Sequence, residues 1–73
     1  MNPVQPKKLL LSKWTAVQPQ ASEKHFIVVK LELPEPPDAP LQWIEIEAVH
    51  SRRSQRIAWR ALMDDAVWRR GWE

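Results

Sequence analysis

Between residues 48 and 60 the chain reads AVHSRRSQRIAWR, which brings an imidazole, four arginines and an indole into one short stretch. Guanidinium groups interleaved with aromatic rings suit a single nucleic-acid strand, since the cations take phosphates and the rings stack on bases. The same residue types dominate protein interfaces, where Trp and Arg supply most of the binding energy. Arg52, Arg53, Arg56 and Arg60, together with Trp14 and Trp43, are therefore the candidate binding residues for a nucleic acid or a protein partner. A plainer role is also open to the arginines: packing over the tryptophans by cation–π contact and pairing with acids elsewhere.

Other chemistries find less support. His50 precedes Ser51, but sequence neighbours in a turn do not make a triad, and glycines for an oxyanion hole are missing. Glu45 and Glu47 project from one side of a strand, where Lys30 and the arginines offer them ordinary salt bridges. His25 and His50 are expected to be cross-strand neighbours, yet two imidazoles need at least a third ligand to hold zinc. The sequence thus points to no enzyme, no metal and no cofactor.

Seventy-three residues allow one domain, near the lower limit for a single core. With no Cys, disulfides and thiolate zinc sites are excluded, and a reducing cytoplasm is compatible. The five tryptophans can compensate, because each buries on the order of 150–250 Å². Leu9–Leu11 after Lys7 and Lys8 is far too short for a leader or a membrane span, so a cytoplasmic protein with no membrane partner is expected. The net charge is only +2, but it is laid out unevenly. Lysines dominate residues 1–30 and arginines residues 51–73, while Glu32, Glu35, Asp38, Glu45 and Glu47 occupy the middle. Such segregation either joins the segments in the fold or leaves a basic face exposed.

These residues must be positioned by a few short elements. MNPVQPKK has two prolines and no periodicity, which marks residues 1–8 as a disordered lead to a domain over 9–73. Ser12–Val17 predicts a strand ended by the polar loop QPQASEK. His25–Leu33 is rich in β-branched residues and predicts a second strand; the proline-rich PEPPDAP must be a loop. Leu41–His50 alternates as a third strand, SRRS is a turn and QRIAW a fourth strand. Pairing Leu31 with Ile44, Val29 with Ile46 and Ile27 with Ala48 puts one apolar set on a single face and Lys30 opposite Glu45. Trp14, Ala16, Phe26 and Val28 fall on the second face, and Ile57 falls opposite Ala48. Trp59, Leu62, Met63, Ala66 and Val67 then follow the helical period, with Gly71 as a left-handed C′ residue and Trp72 reaching back to Val67. The expected fold is α+β: a four-stranded antiparallel meander with a C-terminal helix packed on one face.

The blocks KKLLLSKWTAVQP, EKHFIV, EAVHSRRSQRIAWRAL and WRRGW resemble a small tryptophan-rich bacterial family of unknown function. The resemblance runs from Lys7 to Trp72 and implies no assigned activity. The reading is a non-enzymatic module for protein interaction, including self-association, with weak single-stranded nucleic-acid binding through the Arg/Trp-rich C-terminal third as the alternative.

Overall fold

The computed structural model describes residues 1–73, and its framework is one antiparallel sheet. Its strands are β1 (Lys13–Gln20), β2 (Glu23–Leu31), β3 (Trp43–Ala48), β4 (Ser54–Ala58) and β5 (Trp68–Arg70). They lie in the order β4-β3-β2-β1-β5. The four-stranded meander of the sequence reading is present, but the C-terminal helix is not. Residues Trp59–Met63 form a single 3-10 turn, and the chain then returns as β5 along the free side of β1.

The fold is therefore a five-stranded sheet rather than α+β with a packed helix, and local physics explains the correction. Ala58 before the turn offers no capping side chain, and Asp64 after it is extended at φ −81°, ψ 102°. The Asp64 side chain accepts from the Ala66 N–H, a local bond that competes with helix continuation. Positions i and i+3 coincide in a 3-10 turn as well, so Trp59 and Leu62 reach the core without an α-helix. Trp68 then packs edge-on against Phe26 at 5.1 Å, a contact worth about 0.5–1.5 kcal/mol beyond its burial.

The central register is correct at Leu31–Ile44 and Lys30–Glu45 and wrong below them. Val28, not Val29, faces Ile46, and Phe26, not Ile27, faces Ala48. The cause is a β-bulge: Val29 and Lys30 together oppose Glu45. Phe26 and Val28 thereby join Ile44, Ile46 and Ala48 on the buried face, and Trp14 follows because it pairs with Phe26. The two apolar sets assigned to opposite faces merge into one core. Leu9, Leu62 and Trp68 complete it, and Val4, Leu31, Ile57 and Trp59 pack at its margin.

Both hairpin turns also differ from expectation. The strand β1 continues through Pro19, which falls in an irregular stretch between the Thr15 and Gln20 pairings where no ladder donor is required. Ala21 and Ser22, with φ of 52° and 63°, then make a two-residue connection instead of a long loop. The β3–β4 turn lies at Val49–Arg52, not at Ser51–Ser54, with Arg52 left-handed at φ 64°. Ile57 consequently faces Ile44 rather than Ala48, a four-residue shift that keeps it on the same face.

Residues 1–8, which composition marks as a disordered lead, include a 3-10 turn over Pro6–Lys8. Asn2 donates to the carbonyls of Leu62 and Trp68, so this segment runs along the covered side of the sheet. Residues 71–73 lie on the opposite face, against His25 and Lys13. Gly71 is left-handed at φ 83°, as expected, but it ends β5 rather than a helix. Trp72 turns to the carbonyl of Phe26 and to His25, not to Val67.

Two outcomes follow from this backbone. Deleting Val29 joins Val28 directly to Lys30 and leaves Val28 opposite Ile46 and Lys30 opposite Glu45 in one unbroken ladder, so the variant should still unfold cooperatively. Inserting a residue after Val28 breaks that parity and should abolish cooperative thermal unfolding. Gly71→Ala meets no neighbouring atom but strains the left-handed φ, and calorimetry should show a loss of about 1 kcal/mol.

Candidate functional site

Both hairpin turns come to the same end of the sheet, and there an acid and two turn residues meet. Glu23, the first residue of β2, is only 8% exposed. Arg53 holds its carboxylate bidentately, Nη2 to Oε1 at 2.6 Å and Nε to Oε2 at 2.9 Å. The Ser51 hydroxyl donates to the same Oε2. Charge-assisted, fork-shaped bonds of this kind are the strong members of their class. Hydrogen bonding from Arg53, then from Ser51, holds the Glu23 carboxyl from its usual 4.5 down to about 2, against the opposing effect of desolvation. The pairing raises the Arg53 guanidinium in turn.

Beside this clamp the covered face of the sheet opens into a cleft of about 480 Å³. Gln18, Gln20 and Gln55 supply amides, while Phe26, Val67 and Trp68 supply apolar wall. Glu23 and Arg53 stand at its edge as an already neutralised pair.

A second cluster lies on the uncovered face. Arg56 sits 4.2 Å from the centre of the Trp43 ring and directs its Nε to both oxygens of Glu32 at 3.0–3.1 Å. The register places Arg56 opposite Glu45, with Glu45 opposite Lys30. Trp43 remains 38% exposed, and Val29 beside this group is likewise exposed by the bulge. Farther along the face, Lys13 lies 4.8 Å from the Trp72 ring, which is 43% exposed and tilted against His25.

The residues singled out by sequence therefore do not form one patch. Arg56 and Trp43 meet on the open face. Arg53 turns to Glu23, and Arg52 is exposed at the turn, 3.8 Å from Glu47. Arg60 lies 5.6 Å from the Trp59 ring on the covered side. Trp14 is 1% exposed, with its indole N–H given to the Ser12 hydroxyl, and is a core residue. His25 and His50 are not paired across strands. The carbonyl of His25 accepts from Val49, and its Nε2 lies 2.8 Å from the Glu73 carbonyl. No three His, Asp or Glu side chains converge as metal ligands would.

Sequence reasoning missed Glu23 and Ser51. The signal was present, because Glu23 is the one acid among the first thirty residues, and the arginine-rich turn needed a partner.

The comparisons with known proteins give a family without an activity. Residues 12–73 match the family described as tryptophan-rich protein (DUF2389), a domain of unknown function, and the chain belongs to it. No curated protein and no solved structure matches the chain. No helix is long and apolar enough to cross a membrane.

The two turn arginines, equivalent in sequence, should separate in experiment. Arg52→Ala leaves the melting temperature nearly unchanged, as exposed pairs contribute little, while Arg53→Ala lowers it by stranding a buried carboxylate. Because the folded carboxyl of Glu23 is depressed, its stabilisation is complete above pH 4.5 and is lost as pH falls through about 2. Glu23→Gln should lower stability at neutral pH and flatten the decline across that window, as read by denaturant titrations at several pH values.

Proposed function

We propose that this member of the tryptophan-rich family is a non-enzymatic protein-interaction module of the bacterial cytoplasm, with its docking surface on the uncovered face of the sheet. The observation that carries this reading is the Trp43–Arg56–Glu32 arrangement. A large ring is held partly in solvent, stacked by a guanidinium whose charge Glu32 already balances. Trp and Arg are among the residues most enriched at the hot spots of protein interfaces. Val29 widens the apolar area, and Lys30 and Glu45 give it a polar rim. A cytoplasmic setting fits a chain without cysteine.

Arginines free to hold phosphates would favour the single-stranded nucleic-acid alternative. Arg53 and Arg56 instead have their charges paired with Glu23 and Glu32. Protein contacts of the proposed kind persist at high salt, whereas phosphate contacts weaken steeply.

Wild type and Trp43→Ala should be compared as immobilised baits. Trp43→Ala is expected to remain folded by circular dichroism and to weaken binding of a protein partner by about 2 kcal/mol, with little salt dependence. Saturable, steeply salt-dependent binding of mixed-sequence oligonucleotides, lost on Arg52→Ala, would replace this reading with the nucleic-acid one.

A further inference from the structure

The two edges of the sheet are treated differently by the chain. At β5 the outward backbone groups of Trp68 are covered, and the N-terminal segment lies beside the strand. The Trp68 N–H donates to the Asp64 carbonyl, its own carbonyl accepts from Asn2 Nδ2, and the Arg70 side chain reaches the Pro3 carbonyl. At β4 nothing comparable occurs. Trp59 N–H donates to Gln42 and Ala48 N–H to Arg53, so 53, 55, 57 and 59 turn their polar groups toward β3. By the alternation of an antiparallel ladder, Ser54, Arg56 and Ala58 point theirs away from the sheet. The strand has no proline, bulge or lysine to blunt it, only Arg56, whose side chain is folded back on Trp43 and Glu32.

We propose that the β4 edge pairs antiparallel with β4 of a second copy of this chain, about a two-fold axis through Ile57. This deepens the proposed interaction module and rests on that reading. The sequence of β4 is self-complementary in this register. Ile57 meets its own counterpart on the apolar side, and Arg56 faces the small Ala58 of the partner subunit, so no like charges stand opposite. An axis through Arg56 would set two guanidinium groups against each other. An isologous pair also closes: it consumes both open edges and leaves only the two covered β5 edges at the ends of a ten-stranded sheet. A strand from an unrelated protein would satisfy the same donors, and the measurements below separate the two.

Ala58 already has φ −68°, the value proline imposes, and its N–H points outward. Ala58→Pro therefore removes one intermolecular donor without opposing the fold. Wild type should double its mass with rising concentration in sedimentation experiments, and folded Ala58→Pro should stay monomeric. Amide exchange on wild type gives a readout that needs no variant: Arg56 and Ala58, which face each other across the axis, should gain protection only at high concentration. The chain lacks cysteine, so Ile57→Cys introduces a lone thiol. It should form a disulfide dimer on air oxidation, and Arg56→Cys should not. A monomer at all concentrations overturns the proposal, and so does a dimer that leaves these two amides unprotected. A monomeric wild type whose protein partner still depends on Trp43 sinks this inference while sparing the proposed function. Crosslinking through position 56 rather than 57 overturns the register.

Discussion

A single inserted residue sets the composition of the core. Val29 shares with Lys30 the place opposite Glu45, and this shifts the lower half of β2 by one position against β3. Were the same residues paired without a bulge, Ile27 and Val29 would share a face with Leu31, and Phe26 and Val28 would point to the other side. With it, Phe26 enters the buried face and carries its neighbours along. Trp14 pairs with Phe26 across β1, and Trp68 packs on it edge-on from β5. Three large aromatic side chains are thus buried on one side of the sheet, and the small chain has one core instead of two inadequate ones.

The elements were legible in the sequence where alternation was unambiguous. Ile44, Ile46 and Ala48 fixed their face at once, and the order of the first four strands followed. The bulge was hidden because Phe26 to Val29 is an unbroken apolar run that reads equally well in either parity, while Lys30–Glu45 and Leu31–Ile44 satisfy both registers. The β3–β4 turn escaped because it relies on a left-handed arginine, Arg52, rather than on glycine or proline. The supposed helix failed for a related reason. Trp59 and Leu62 are compatible with either helical period, and Met63, Ala66 and Val67 favoured the longer one. What sequence pattern does not include is the demand of β1 for a partner along its outer side, which β5 satisfies. For the candidate site, Trp43 and Arg56 are adjacent as a cross-strand reading of β3 and β4 would place them, whereas Trp14 is spent on the core.

The uneven charge of the chain has a structural use. Arg53 reaches Glu23 across the two hairpin turns, and Arg56 reaches Glu32 at the end of β2. Both pairs join residues more than twenty positions apart, so they hold the ends of β2 against β4 while cancelling charge that a polyanion surface would need. The second pair also has a consequence for recognition. By fixing Arg56, Glu32 fixes the guanidinium over Trp43, and the exposed indole is presented in one orientation. In the proposed interaction module this order would lower the cost of binding, because the group has less conformational freedom left to lose.

The coverage of the sheet explains why these features gather at one corner. Residues 1–9 and 59–63 both pack on the same face, and Asn2 and Asp64 together also cover the outward groups of Trp68 at the β5 edge. A chain of this length has too little material to cover the second face and the second edge as well. What remains open is the side bounded by β4 and β3, where outward backbone donors lie next to Trp43 and its stacked arginine. Backbone groups give affinity without selecting a partner, and side chains beside them supply the selection. The uncovered corner has both, and the small core depends on neither: Trp43, Arg56 and the outward groups of β4 lie outside the buried cluster. Surface residues there can therefore be shaped by recognition without sacrificing the packing of Trp14, Phe26 and Trp68.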